Sequence, residues 1–348
     1  MKRDYATVEL RDFIIENVEE YPNSVTHLVS EKFGISRQAV NRYIHKLVYD
    51  GVLVEKGHTR GKSYSLKTIK EDEFVLNITP GFEEDVIWRR KVKPLLSGIK
   101  SNVVDICHYG FTEMLNNVIE HAESKSVMVV FKHIPNKIEL VVMDTGIGIF
   151  NKITRELGLE DNRHAVLELS KGKLTTDQEN HTGEGIFFTS RMFDKYTIIS
   201  GELYFSHTQG EEEDWLLEDR EQKVEGTMVE MSIATNSNRR TLDVFDKYAA
   251  TDDDYTFTRT HVPVALAQYG GDNLISRSQA KRLLARLEPF KEVFLNFEGV
   301  DFIGQPFADE IFRVFKKNNP NIDILVTYAN EKIEKMIKRV TSESIAEK

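Results

Sequence analysis

The sequence predicts a multidomain α/β protein, and three observations support this fold class. The chain has 348 residues, which exceeds the size at which a single hydrophobic core keeps growing. Hydrophobic residues make up 40% of the chain and charged residues 29%, proportions that are typical of globular proteins. Apolar residues at helical spacing also alternate with short apolar runs along most of the chain, as in proteins that pack helices on sheets.

Charge is distributed unevenly along the chain. The formal net charge is -10, which argues against a protein coated in nucleic acid. Between residues 34 and 70, however, eight lysine and arginine side chains face only Asp50 and Glu55, a local excess of six positive charges. The sequence therefore predicts a basic module attached to an acidic body.

The first 70 residues predict three helices followed by two short strands. Apolar residues between positions 8 and 18 mark the first helix, Asn23 or Ser24 can cap the second, and Ser36 can cap the third. The segments VLVEK and SYSLK then predict two strands, which are joined by the basic loop GHTRGK.

Polar and basic side chains, which can hydrogen-bond to base edges, occupy one face of the third helix. They are Arg37, Gln38, Asn41, Arg42 and His45, and Arg60 and Lys62 lie in the basic loop. This order of elements resembles the winged helix-turn-helix of bacterial regulators. The resemblance implies that the third helix enters the major groove of double-stranded DNA and that the loop contacts the backbone. The alternatives are a solvated polar face and a domain that binds protein.

An amphipathic helix is predicted over VVDICHYGFTEMLNNVIEHA. Its buried stripe should contain Val104, Cys107, Phe111, Leu115 and Val118. Glu113 and Asn117 are four residues apart and therefore stack on another face. An amide oxygen is a hard, neutral ligand suited to Mg²⁺, and a carboxylate one turn away can take a proton from water. For these two residues alone, a solvent-facing polar patch is the simpler interpretation.

Three glycine-bearing segments follow this helix. Their candidate residues are Asp144, Gly146 and Gly148 in DTGIG, Thr182, Gly183 and Gly185 in TGEGI, and Gly226 with Thr227 at the start of the last strand. Glycine adds no side chain, so the backbone of the first segment can approach a flat ligand closely. The second segment opens a helix, where unpaired N–H groups can bind phosphate.

Taken in order, these elements resemble the GHKL ATPase superfamily over roughly residues 82–234. The resemblance implies a Bergerat α/β sandwich that binds ATP and Mg²⁺. It implies that Asn117 binds Mg²⁺ shared with the phosphates, that Glu113 is the general base, and that Asp144 accepts the adenine amino group. Residues 151–180 would form a lid over the nucleotide.

The glycine segments would complete the cofactor-binding residues. The resemblance implies that Gly148 packs near the base, that Gly183 and Gly185 shape the phosphate turn, and that Thr227 assists at the adenine, with Gly146 and Thr182 beside them. Histidine kinase activity is not expected, because that reaction needs a phosphoacceptor histidine on a separate upstream helix pair. The upstream region here predicts a winged helix instead.

After residue 255, strands alternate with helices, which predicts a small α/β domain. The stretch VFLNFEGVDFIGQPFADEIF resembles the STAS-like group, related to anti-sigma-factor antagonists. In the antagonists a phosphorylatable Ser or Thr follows the position of Ile303, whereas this chain has Gly304 and Gln305. A kinase acting on its own C-terminal domain would lack this substrate, so we expect a domain that docks a protein partner or forms a dimer.

The sequence therefore predicts a winged helix at 1–70, a GHKL domain at 71–240 and a STAS-like domain at 255–345. We expect an ATP-binding, slowly hydrolysing transcriptional regulator in which Mg-ATP controls how the winged helix meets DNA, within a homodimer. The chain has no apolar run able to span a membrane and no signal peptide, so a cytoplasmic location is expected. The alternatives are an anti-sigma-type serine kinase acting on a separate partner and a passive ATP sensor.

Overall fold

The computed structural model describes residues 2–58, 61–79, 81–174, 183–210, 214–218, 223–251, 254–268 and 273–343. The chain forms two compact units. The first consists of Met1–Glu73, Val130–Glu139 and Ile233–Ser237, and the second of Phe74–Val129, Leu140–Ser232 and Asn238–Lys348. The predicted multidomain α/β class is confirmed.

Helices and strands alternate through the described residues. The helices are α1 (Lys2–Asn17), α2 (Val25–Phe33), α3 (Arg37–Tyr49), α4 (Glu84–Ile87), α5 (Ser101–His121), α6 (Ile149–Leu157), α7 (Asn162–Lys171), α8 (Gly185–Met192), α9 (Thr241–Tyr248), α10 (Arg277–Leu284), α11 (Gln305–Asp309), α12 (Lys316–Asn318) and α13 (Glu331–Glu343). The strands are β1 (Leu53–Lys56), β2 (Ser63–Leu66), β3 (Lys70–Asn77), β4 (Ser126–His133), β5 (Lys137–Asp144), β6 (Lys195–Gly201), β7 (Leu203–Thr208), β8 (Asp214–Glu218), β9 (Val224–Ala234), β10 (Ala249–Thr251), β11 (Asp254–Phe257), β12 (Arg259–Pro263), β13 (Glu292–Asn296) and β14 (Asp323–Thr327).

The first unit contains α1, α2, α3 and the antiparallel hairpin β1–β2, in the order that the sequence predicted. Ser36 caps α3 as expected, because its Oγ accepts a hydrogen bond from the Ala39 N–H at 3.2 Å. Ser24 lies at the cap position of α2, but its side chain makes no cap hydrogen bond. The core of this unit includes Leu10, Ile14, Val18, Val25, Val29, Val40, Ile44, Leu47, Leu53 and Leu66.

A seven-stranded sheet has the strand order β3-β4-β5-β9-β6-β7-β8. Side chains of β4 and β5 alternate between buried and half-buried positions, as expected for strands that turn one face to a packed layer. Strand β6 pairs antiparallel with both of its neighbours, so that Ile198 lies opposite Phe205 on β7 and Val229 on β9.

Helix α5 supplies much of the packed layer. Its buried residues are Val103, Ile106, Cys107, Gly110, Phe111, Met114, Leu115 and Val118. The predicted stripe is correct except at its start, where Val103 is buried and Val104 is only half-buried. The buried thiol of Cys107 is also as expected, and its burial raises the pKa of the group.

Some elements could not be read directly from the sequence pattern. The amphipathic stretch GFEEDVIWRRKVKPLLSGI favours one helix over residues 81–99, but the structure has α4, a π-helical turn over Trp88–Val92 and a 3₁₀ turn over Lys93–Leu96 in its place. Pro94 lacks an N–H and therefore favours a break in the helix here. Strand β3 was not predicted, and the described part of the expected lid forms α6 and α7.

The C-terminal segment, from β12 to α13, contains the parallel sheet β12-β13-β14. Helix α10 begins with a capping box, in which the Gln279 N–H donates to Ser276 Oγ and the Ser276 N–H donates to Gln279 Oε1. None of the helices in the described part of the chain has both the length and the apolar character needed to cross a bilayer.

Candidate functional site

A cavity of about 340 Å³ lies in the second unit. This volume falls in the range of small-molecule sites, about 300–1,000 Å³. The predicted site residues that line it are Glu113, Asn117, Asp144, Gly148, Gly183, Gly185 and Thr227. Gly146, also predicted to bind the cofactor, does not line the cavity, and Thr182 lies outside the described residues. Four separate parts of the sequence thus meet at one cavity.

The polar face of α5 forms one wall. Glu113 and Asn117 both line the cavity, and the Asn117 Nδ2 lies 4.0 Å from Met114 Sδ. Gly185, the first residue of α8, packs directly on the carboxylate, since a Cβ at this position would lie 2.0 Å from Glu113 Oε2. Any larger residue at position 185 would displace the carboxylate.

Asp144, at the end of β5, forms the floor of the cavity. Its side chain is 3% exposed, and its Oδ1 accepts a hydrogen bond from the Gly146 N–H at 2.7 Å. Burial raises the pKa of this carboxyl above its ordinary value, while the backbone N–H groups of Gly146 and Thr227 oppose the shift. The floor therefore carries an acceptor whose negative charge is made costly by burial.

Two further glycines shape this floor. A Cβ on Gly226 would lie 2.2 Å from the Asp144 carbonyl oxygen. Gly148 has φ of 82°, a left-handed conformation that favours glycine, and a Cβ there would lie 2.6 Å from Ser200 Oγ. The Thr227 Oγ1 accepts a hydrogen bond from the Ile149 N–H at 2.9 Å, which ties the start of α6 to β9.

Sequence reasoning missed two ionisable side chains on the cavity wall. Lys152 lies one turn into α6, where its N–H donates to the Gly148 carbonyl at 3.0 Å. Glu184 is the unassigned residue between the two glycines of TGEGI. The pKa of Tyr109 is raised mainly by burial and further by the negative charges of Glu113 and Glu184, so both carboxylates influence the Tyr109 hydroxyl. The sequence signal that could have identified both residues is their spacing, because each lies within one helical turn of a glycine in DTGIG or TGEGI.

The predicted DNA-contacting residues lie in the first unit, on α3 and around the hairpin. Arg37, Gln38, Arg42 and His45 are exposed. Asn41 is half-buried, and its Oδ1 accepts a hydrogen bond from Thr26 Oγ1 at 3.3 Å. The Lys62 ammonium lies 2.8 Å from Glu55 Oε2, and Arg60 lies outside the described residues.

Comparison with protein families matches two segments of the chain. Residues 86–203 match the histidine kinase-like ATPase domain. Residues 279–334 match a STAS-like domain of unknown function, DUF4325. Both ranges fall inside the segments that carry the corresponding resemblances, although Gly226 and Thr227 lie beyond the first range. No curated protein is a significant match to the chain.

The ATPase-domain match implies ATP binding, usually together with Mg²⁺. Most of the cavity residues fall in the matched range, so the match and the geometry concern the same part of the molecule. The donor set also fits such a ligand. Asn117 lines the cavity with an amide group, whose oxygen is a type of ligand suited to Mg²⁺, and the described residues contain no cluster of three or more His, Cys, Asp or Glu side chains able to hold a metal alone.

The buried carboxyl of Asp144 predicts an unusual pH dependence of stability. Its folded-state pKa lies above the ordinary value, so between the two values the folded chain holds a proton that the unfolded chain has released. The contribution of Asp144 to stability therefore falls as the pH rises through this range. The uncharged variant Asp144→Asn should gain stability relative to wild type across the same range and keep the gain at higher pH.

Denaturant unfolding of both proteins from acidic to neutral pH measures this difference. Asp105→Asn is the matched control, because Asp105 is exposed on α5 and away from the cavity wall. A stability difference between wild type and Asp144→Asn that stays constant with pH would contradict the effect assigned to burial.

Proposed function

We propose that the protein is an ATP-binding, slowly ATP-hydrolysing regulator whose first unit binds double-stranded DNA. The observation that carries this proposal is the convergence of Glu113, Asn117 and Asp144 on one cavity. That cavity lies largely within the segment matching the ATPase domain, and the same chain carries a basic unit of three helices and a hairpin. Mg-ATP would control how that unit meets DNA.

The charges on the cavity wall support a requirement for Mg²⁺. Its described lining includes four carboxylates. Lys152 is the one lysine or arginine in that described lining. The lining carboxylates are Glu113, Glu120, Asp144 and Glu184. A triphosphate entering this site would be repelled unless a cation accompanied it. Asn117 would hold the Mg²⁺, whose charge would offset that of the phosphates, and Lys152 would add the positive charge of its ammonium group.

Glu113 is the proposed general base for the attacking water. Its carboxylate is held against the backbone of Gly185, at the start of the helix where the phosphates would sit. Glu184 also lines the cavity and directly precedes Gly185, so it is the competing candidate for the base. Replacing each glutamate in turn by glutamine, an amide of the same size, identifies which of the two carboxylates is the base.

We expect Glu113→Gln to lower phosphate release from Mg-ATP by about 10²-fold or more, because it removes the base. Bound nucleotide, measured in the same samples, should change far less. Glu184→Gln is the matched control and should keep most of the turnover. Loss of turnover only in Glu184→Gln would transfer the role to that residue, and a wild type that binds without turnover would favour a sensor or a kinase that lacks its partner.

The DNA-binding proposal rests on the exposed face of α3. Arg37, Gln38 and Arg42 are exposed beside the buried face formed by Val40 and Ile44. Such side chains on a helix that projects from a small core can reach base edges in the major groove. A homodimer would present two such helices to two half-sites and is part of the proposal.

The coupling between the two activities is tested by DNA affinity at fixed salt, with duplexes selected from a random pool. Mg-ATP should change the affinity of the wild type by about fivefold or more, the usual size of allosteric coupling. In Asn117→Ala the change should disappear, because the variant loses the expected Mg²⁺ ligand. Equal affinity of the wild type with and without Mg-ATP would refute the coupling even if both ligands bind.

Substitutions in the first unit should separate base reading from backbone contact. Arg42→Ala should lower affinity for the preferred duplex by about 1–3 kcal/mol and relax its specificity at one base pair. Lys62→Ala should weaken binding to all duplexes alike and reduce the salt dependence by about one phosphate contact. Identical effects of the two substitutions on every duplex would contradict this division of roles.

A further inference from the structure

Helix α7 is buried on all sides over its last two turns. Every residue from Ala165 to Lys171 is buried, including the charged side chains of Glu168 and Lys171, each 1% exposed. Charged groups are almost never buried to this extent unless they are paired. The surroundings of this helix therefore contain specific partners for both charges.

Lys171 finds its partners on the C-terminal segment. Its Nζ donates to Glu168 Oε1 at 2.8 Å, to the Ala285 carbonyl at 2.8 Å and to the Arg282 carbonyl at 3.2 Å. The two carbonyls lie at the end of α10, where the helix carries partial negative charge, and the Arg282 carbonyl also accepts a hydrogen bond from the Ala285 N–H at 3.3 Å. All three ammonium protons are used, and Lys171 caps α10 from outside.

Three further contacts join the same two regions. The Thr260 Oγ1, on β12, donates to the Lys171 carbonyl at 2.7 Å. The Arg286 Nη1 lies 3.4 Å from Glu168 Oε2, and the Arg282 Nη1 donates to Glu160 Oε2 at 3.1 Å. The C-terminal segment thus holds both the end of α7 and the loop before it.

The same stretch of chain also forms part of the cavity wall. Leu169, on α7, and Leu174, just after it, both line the cavity. A shift of α7 along or away from α10 would therefore move two of the lining side chains. Ligand binding in the cavity and docking of α7 on the C-terminal segment therefore involve the same element, and any coupling between them would be reciprocal.

We propose that Lys171 and Glu168 are positioning residues through which the C-terminal segment sets the nucleotide affinity of the cavity. This inference rests on the proposed nucleotide binding and adds its regulation. Anything that changes the end of α10 or the start of β12, such as a protein bound to the C-terminal segment, changes the cavity wall through α7. A contact that only stabilises the fold would behave differently, because its loss would lower the melting temperature without changing the affinity for Mg-ATP.

Two pairs of substitutions test the proposal without touching α7 or the cavity. Thr260→Val removes the hydroxyl that donates to the Lys171 carbonyl. Its control is Thr258→Val, because the buried Oγ1 of Thr258 has no hydrogen-bond partner among the described residues. Arg286→Gln removes the contact with Glu168, and its control is Arg277→Gln, whose guanidinium pairs with Asp309 instead.

Each variant is measured by titration with Mg-ATP, by melting without nucleotide and by hydrogen exchange of the α7 amides. We expect Thr260→Val and Arg286→Gln to weaken Mg-ATP binding by about fivefold and to speed exchange in α7. The two controls should stay within about twofold of the wild type in affinity. The melting temperature separates this effect from general destabilisation, because variants that melt alike should still differ in affinity.

Faster exchange in α7 with unchanged Mg-ATP affinity would overturn the inference and leave nucleotide binding standing. Equal loss of affinity in the test variants and their controls would also overturn it. A wild type that does not bind Mg-ATP would instead refute the proposed function, and the inference with it.

Discussion

The close approach of three backbone segments around Asp144 is the constraint on which the candidate site depends. The Ile147 N–H donates to the Ala122 carbonyl at 2.9 Å, and a Cβ on Gly146 would lie 1.9 Å from the same oxygen. A Cβ on Gly226 would collide with the Asp144 carbonyl on the other side. Main-chain contacts therefore fix the end of α5, the end of β5 and the start of β9. The floor of the cavity is therefore held by main-chain contacts within the protein.

The opposite side of the cavity is built differently. Its lining side chains on and after α7 depend on contacts with the C-terminal segment, which lies more than a hundred residues further along the chain. A floor held by main-chain contacts and a wall held by side chains differ in how easily they move. The recognition groups can thus stay fixed while the volume beside them responds to another part of the protein.

Sequence patterns predicted the motif residues of the cavity better than its lining on and after α7, for a physical reason. Asp144 and Gly148 on the floor and Gly185 against Glu113 are needed for local geometry, so their chemistry and spacing are visible in the sequence. The burial of α5 was also predicted, apart from Val104, because helical periodicity is a local signal.

Other features depend on contacts that no local pattern contains. Strand β3 carries charged and apolar residues in a half-exposed pattern, and its strand state depends on its neighbour in the sheet. In the sequence, Lys171 has the pattern of an ordinary exposed residue at a helix end. Its burial is explained by its contact with the end of α10. The roles of the first unit likewise stay predictions, because an exposed basic face has the same appearance with or without DNA.

The choice of charged residues at the α7 contact argues for control of position. A buried ion pair is weak evidence for stability, because apolar residues of similar volume often stabilise as well or better. Apolar surfaces, however, are non-directional and tolerate sliding. Lys171 instead donates to two carbonyls at the end of α10, and these hydrogen bonds depend on the position of α7 along α10. One residue of helical translation is about 1.5 Å, so sliding α7 by one residue would break both hydrogen bonds. The position of the cavity wall on and after α7 therefore gives a reason for burying Glu168 and Lys171 despite the energetic cost.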